Sequence, residues 1–306
     1  GVGWWTCRHE SSMAAPRNSS PLVGEQDLIT TLLGFRYDPE GFVRYAFPWG
    51  VKGTPLERVE GPRTWQIDEF KRISDHLQTD IEKARIGLPA SPLYLAISSG
   101  RGIGKSAWLS MLDLWVASCW IGSTGIVTAN TSEQLRTKTW AELAKWHHIG
   151  LTKHWYKLNA GGGGSMNMYH LNHSETWRVD AQTCKEENSE SFAGLHSAQS
   201  TPFYIFDEAS AVPDKIFEVR EGGLTDGEPM HFSFGNVTRA DGEFYKTFHR
   251  NKHRYEICKQ IDSRESQLTN KDQIALWEED YGEDSDFFRV RVRGLPPKTG
   301  ARNMFG

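Results

Sequence analysis

The chain has 306 residues, of which 38% are hydrophobic and 24% charged, with a net charge of −4. Such a composition can bury a sizeable core, and it excludes a wholly disordered chain or one coated in basic surface. Nowhere does an apolar run approach the ~20 residues of a membrane span, so no membrane partner is expected.

Residues 1–24 are small, polar and proline-containing and read as a disordered N-terminal segment, with Met13 a candidate start. The opening residues lack the basic-then-apolar layout of a signal peptide. Four scattered cysteines (Cys7, Cys119, Cys184, Cys258) form no C-x-x-C pair and read as free thiols in a reducing compartment. A short helix is expected from Glu25 to Leu33, then an aromatic loop, Phe47-Pro-Trp-Gly50. Further on, Ile67, Phe70, Ile73, Leu77 and Ile81 recur at intervals of three and four, the pattern of a helix with one buried face. Two readings of Trp65-Gln66, just upstream, stay open. The indole and amide could hold an adenine, or they could be a core residue and a surface cap.

Leu93-Tyr-Leu-Ala-Ile-Ser-Ser99 is an apolar run that ends in Gly100-Arg-Gly-Ile-Gly-Lys-Ser106, after which helical periodicity sets in. Strand, glycine-rich turn and helix in that order describe a phosphate loop. Backbone N–H groups of Ser99, Gly100, Arg101, Gly102, Ile103 and Gly104 can curl around phosphate oxygens, Lys105 reaches the β- and γ-phosphates, and the Ser106 hydroxyl ligates Mg²⁺. Ser99 stands where the pattern G-x-x-x-x-G-K-[ST] has its first glycine.

Beyond the loop, Trp108, Leu109, Leu112, Trp115, Val116 and Cys119 mark a helix buried on a sheet. Thr124–Ala129 is the next strand, and Ser132 caps a helix running towards Ile149. Five histidines (His147, His148, His154, His170, His173) lack the helix-face spacing of a zinc site and read as solvated. Ala160-Gly-Gly-Gly-Gly-Ser165 has linker composition, natural or engineered, and strands at Met166–Tyr169 and Thr176–Ala181 are expected to pair.

Thr201-Pro-Phe-Tyr-Ile-Phe-Asp-Glu208 is the second chemical stretch: a buried strand with two carboxylates at its C-terminal end, where parallel sheets bind ligands. Asp207 is expected to hold Mg²⁺ and Glu208 to orient or deprotonate the water that attacks a γ-phosphate. Met230–Phe234 is a further strand, running into Gly235-Asn-Val-Thr238; Asn236 and Thr238 either sense the γ-phosphate or belong to an ordinary turn. Tyr255–Gln260 reads as a strand and Lys271–Tyr281 as a helix capped by Thr269 or Asn270. Phe288, Val290 and Val292 alternate with Arg289, Arg291 and Arg293, as in a strand with one apolar and one basic face or a basic contact surface, and three arginines are few enough to read as a solvated face. Pro296-Pro297 opens a linker or truncated end, 296–306. The implied fold class is α/β, a mostly parallel sheet flanked by helices.

Five segments in this order, Ser-Gly-Arg-Gly-Ile-Gly-Lys-Ser (99–106), Thr-Ala-Asn-Thr-Ser-Glu-Gln (128–134), Phe-Ala-Gly-Leu-His (192–196), Ile-Phe-Asp-Glu-Ala (205–209) and Gly-Asn-Val-Thr-Arg (235–239), resemble the ATPase domain of tailed-phage terminase large subunits, the motors that pack DNA into capsids. The resemblance implies a RecA-like, additional-strand P-loop fold over 25–295, ATP and Mg²⁺ as cofactors, and a homo-oligomeric ring that moves double-stranded DNA in the host cytoplasm. It maps adenine recognition to Trp65 and Gln66, gives Arg101 a γ-phosphate contact, and implies a small terminase subunit and a portal protein as partners. The RNase H-like nuclease usual in the family is not expected in this chain. Helicase- or repair-type ATPases would need a second motor domain. A P-loop kinase would need an acceptor pocket in place of 235–238, and an inactive prophage remnant would show folding without turnover.

Overall fold

The computed structural model describes residues 24–162, 164–195, 200–255 and 257–298. Expectations for residues 1–23, His196 and 299–306 lie outside these described residues.

Chain order begins with α1 (Glu25–Gly34), α2 (Pro39–Ala46) and α3 (Thr64–Arg85). There follow β1 (Leu93–Ser99), α4 (Lys105–Cys119), β2 (Thr124–Thr128), α5 (Ser132–Gln134), a π-helical turn (Leu135–Thr139) and α6 (Trp140–Ile149). Next come β3 (Tyr156–Ala160), β4 (Met166–His170), β5 (Arg178–Ala181), β6 (Pro202–Phe206), α7 (Asp214–Arg220) and β7 (Met230–Gly235). The described chain closes with α8 (Gly242–Thr247), β8 (Ile257–Ile261), α9 (Lys271–Tyr281) and α10 (Asp286–Arg291).

All eight strands form one sheet in the order β3-β4-β5-β2-β6-β7-β1-β8. From β5 to β8 every neighbouring pair is parallel, and β3 and β4 add an antiparallel hairpin at one edge. β7 lies between β1 and β6, which is the additional strand of the RecA-like class. Register fixes the working edge: Ser98 lies opposite Gly235 and Phe206 opposite Ser233, so the phosphate loop, Asn236 and Asp207 all leave the sheet at its C-terminal side.

Period-two alternation feeds two cores. Leu93, Leu95 and Ile97 of β1 and Phe203 and Ile205 of β6 face α3, α4 and α6, where Trp108, Trp115, Trp140 and Trp146 are buried. Ala96, Tyr204 and Phe206 face the other way, against Ile216, Phe217, Val237 and Phe244. Helix α4 is buried from Trp108 to Cys119, as its nearly unbroken apolar sequence requires.

Three sequence expectations change. Thr131, not Ser132, caps the helix after β2, its hydroxyl accepting from the Gln134 N–H, and a π-helical turn interrupts the run to Ile149. Residues 286–291 form a helix rather than a strand, because the Ser285 hydroxyl accepts from the Phe288 N–H and starts a turn that a short alternation cannot signal. His170 is half-buried rather than solvated: its ring stacks on Trp177 at 4.3 Å, and burial pushes its pKa down to about 4. Met166–His170 and Arg178–Ala181 pair antiparallel, as expected, while the strand across the glycine-rich segment from Met166–His170 is Tyr156–Ala160. Cys119, Cys184 and Cys258 are free thiols. Among the described residues no helix is long and apolar enough to cross a membrane.

Candidate nucleotide site

β1 delivers the chain into the glycine-rich turn and α4 takes it away. Gly102 and Gly104 have φ of +76° and +87°, a left-handed backbone that side chains rarely tolerate, so these two positions need glycine. Ser99 does not: it still lies in β1, is fully buried, and donates its hydroxyl to the Gly100 carbonyl at 2.7 Å. Ser99 keeps a strand backbone without positive φ, so this position does not require glycine.

Trp65 and Gln66 fall within the first turn of α3 and hold the loop from one side. Trp65 Nε1 donates to the Ile103 carbonyl at 2.9 Å, and Gln66 Nε2 donates to the Gly104 carbonyl at 3.2 Å. Gln66 is 2% exposed and its Oε1 accepts from the Arg63 N–H at 2.8 Å. The indole N–H and the amide each engage backbone, so in this geometry the pair braces the phosphate loop.

The acidic pair follows β6, whose five residues are all buried. Asp207 is 5% exposed. Its Oδ1 accepts from the Glu208 N–H at 2.9 Å and its Oδ2 from the Thr139 hydroxyl at 2.7 Å. Burial pushes the Asp207 pKa up, opposed first by the Thr139 hydrogen bond and, more weakly, by Lys105. Glu208 has φ 51°, the one positive φ outside glycine among the described residues. A non-glycine residue held there costs on the order of 1–3 kcal/mol, and such strain gathers where a side chain must be aimed.

Lys105 donates from Nζ to Asn236 Oδ1 at 3.1 Å. Burial lowers its pKa, while Glu208 and then Asp207 act in the opposite direction. The lysine therefore lies within the field of both carboxylates. Asn236 is buried and also donates to the Ser99 carbonyl at 2.7 Å and the Val290 carbonyl at 3.3 Å. Thr238 stands apart from the lysine, its hydroxyl 3.0 Å from Ser210 Oγ on the turn just after Glu208. Asn236 thus contacts Lys105, whereas Thr238 contacts the turn after Glu208. Ser106 opens α4, and its carbonyl accepts from the Ser110 hydroxyl at 2.9 Å.

Several contributors escaped the sequence reading. Thr139 reaches Asp207 because the π-helical turn re-aims it, and π-turns recur at functional sites. Ser263 and residues 290–292 lie against the far side of the loop. Gly100 N–H donates to the Ile261 carbonyl at 3.1 Å, Arg101 N–H to the Arg291 carbonyl at 2.8 Å, and Ser263 Oγ to the Arg101 carbonyl at 2.8 Å. No motif marks these positions.

A parallel sheet with an inserted strand between a phosphate loop and an acidic strand end defines a RecA-like P-loop protein. Comparison with known proteins narrows that class to one family likeness. No protein-family model matches the chain. A probable terminase large subunit of Enterobacteria phage P7 is 26% identical over 250 residues, covering 77% of this chain and 46% of that protein. The large terminase of bacteriophage HK97 superposes with a TM-score of 0.59 at 13% identity, over 85% of this chain and 55% of that one. The large terminase of a thermophilic bacteriophage, solved in complex with ADP, gives 0.51 at 12% identity over 72% of this chain and 52% of its own. The chain is similar in sequence to a terminase large subunit and shares the fold of tailed-phage large terminases, as its motifs imply. It spans about half the length of these relatives.

Proposed function

We propose that this chain binds ATP with Mg²⁺ and hydrolyses it, as the ATPase part of a terminase large subunit that moves double-stranded DNA during phage genome packaging. The observation that carries the reading is the meeting of Lys105, Asn236, Asp207 and Glu208 at the C-terminal ends of three adjacent parallel strands. Residues 25–295 act as one P-loop unit in this reading. Lys105 binds β- and γ-phosphate oxygens, exchanging its bond to the neutral Asn236 amide for a stronger one to an anionic acceptor. N–H groups at the start of α4 add the helix-terminal field. Glu208, aimed by its left-handed backbone, orients the attacking water and takes its proton. Arg101, on the loop, offsets negative charge on the terminal phosphate.

The donor set suits a divalent cation. Asp207 is a buried carboxylate whose ionised form has no full counter-charge, and Ser106 is the hydroxyl that the motif supplies; these two would hold the ion. Bound there, Mg²⁺ supplies charge neutralisation on the phosphates. DNA contact must come from a local patch or from ring neighbours, since the net charge is −4. Assembly as a ring in the host cytoplasm, with a small subunit and a portal protein, belongs to the same reading.

ATP turnover with and without linear duplex DNA tests it, run beside Glu208→Gln and Lys105→Ala on ring-assembled protein. Wild type should turn over ATP, faster with DNA. Glu208→Gln should bind ATP yet hydrolyse it on the order of 10²-fold or more slowly, and Lys105→Ala should lose binding. Wild-type rates in Glu208→Gln would overturn the assignment.

A further inference from the structure

A further arginine is tied to the phosphate loop through its backbone. The last turn of α10 and the residue after it are fixed to the loop's surroundings at three successive positions. The Val290 carbonyl accepts from Asn236, the Arg291 carbonyl from the Arg101 N–H, and the Val292 carbonyl from the Ser263 N–H at 2.7 Å. Gly100 leaves no room at this seam: a Cβ there would collide with Ser263 Oγ and with the Val292 carbonyl oxygen.

The arginines of this segment differ in what they hold. Arg289 donates to the Pro296 carbonyl at 3.0 Å, and Arg293 pairs with Asp284 at 3.1 Å. Arg291 has no acceptor among the described residues, and its guanidinium packs over the Phe287 ring at 4.8 Å. Arg101 likewise has no side-chain acceptor or carboxylate partner among them. A backbone hydrogen bond thus ties together two arginines that lack a counter-ion among the described residues, and the charge of one acts on the other. Burial, and after it the Arg101 charge, lower the Arg291 pKa. Guanidinium groups left so are matched by an anion that accepts planar, paired hydrogen bonds, and the loop beside them is built for phosphate.

We propose that Arg291 is a second phosphate-binding arginine, which joins Arg101 on the terminal phosphate of a bound nucleoside triphosphate and so ties α10 to the nucleotide. The inference rests on the ATP reading above. A diphosphate lacks the group that both arginines would share, so α10 is held by triphosphate and released when that phosphate leaves.

Calorimetric titration with ATP and with ADP, on a Glu208→Gln background that suppresses turnover, tests the assignment. Arg291→Ala should weaken ATP binding on the order of 10- to 100-fold while changing ADP binding little. Arg291→Lys keeps the charge without the fork and should fall between. Arg289→Ala, on the same helix but engaged elsewhere, should match the parent. Equal weakening of ATP and ADP by Arg291→Ala, or no weakening of either, would overturn the proposal. A parent that binds neither nucleotide would instead remove the ATPase reading, an outcome recognisable because Lys105→Ala would then change nothing.

Discussion

Asp113 offers a measurable consequence of the core beneath the candidate site. It lies on α4, 2% exposed, with one carboxylate oxygen lacking any partner. Beside it is a cavity of about 10 Å³ lined by Ser110, Asp113, Thr139 and four apolar residues, room for about one water. Burial alone pushes the Asp113 pKa up to about 8 from 3.8. An unfolded chain releases this proton near pH 4, whereas the folded protein keeps it until about pH 8. Between those values the folded state binds one proton more, so stability falls as pH rises, by about 1.4 kcal/mol per pH unit. From pH 5 to pH 8 that amounts to roughly 4 kcal/mol.

Asp113→Asn keeps the shape and stays neutral, so it should abolish this slope. Urea unfolding at pH 5 and pH 8 measures the effect for both proteins. Wild type should lose several kcal/mol more than the variant over that interval. His231, buried with both ring nitrogens unpartnered, is pushed well down and acts with the opposite sign below about pH 6.5. Its contribution is common to the two proteins and cancels in the difference. Parallel pH profiles would refute the argument, since they would mean that Asp113 is ionised when folded.

Two further substitutions probe the site itself. Thr139→Val deletes the hydroxyl that bonds Asp207, which should raise the carboxyl's pKa further, move the acid limb of Mg²⁺-dependent turnover to higher pH and raise the half-saturating Mg²⁺ on the order of 10-fold; an unmoved acid limb would count against Asp207 as the metal-holding group. Gly100→Ala forces a methyl against Ser263 and the Val292 carbonyl and should cost about 1–3 kcal/mol in a thermal or urea melt, with no loss expected if residues 290–292 do not pack on the loop.

Much of this architecture is legible because its signals are local. The apolar runs 93–99 and 202–206 end in residues that only a strand terminus at a ligand edge would bring together, and the structure places them two strands apart with β7 between. The Trp-rich stripe of α4 is core, as its spacing implies. What stayed hidden depends on neighbours distant in sequence. Thr139 is one polar residue in a helical run, and only the π-turn directs it at Asp207, 68 residues further on. Arg291 sits in an alternation that suits a strand on paper, while the Ser285 cap and the packing of Phe288 against Ile274 make it a helix. Gln66 reads equally well as adenine-binding or as a surface cap until its burial and its two hydrogen bonds are seen.

Asn236 explains why the inserted strand matters. Its carboxamide oxygen takes the Lys105 ammonium, and its nitrogen is shared between the Ser99 carbonyl at the mouth of β1 and the Val290 carbonyl of α10. A nucleotide that draws Lys105 onto its phosphates frees the oxygen but leaves the nitrogen tied, because both carbonyls are buried and would otherwise lose their donor. The change at the phosphates is then felt by one side chain that already joins the loop to the C-terminal helix. Arg291, one residue beyond Val290, would meet the same phosphate from the other side. Through the Val290 bond to Asn236 and the proposed Arg291 contact, the position of α10 would depend on the occupant of the loop, and Asn236 stands where it does because β7 lies between β1 and β6.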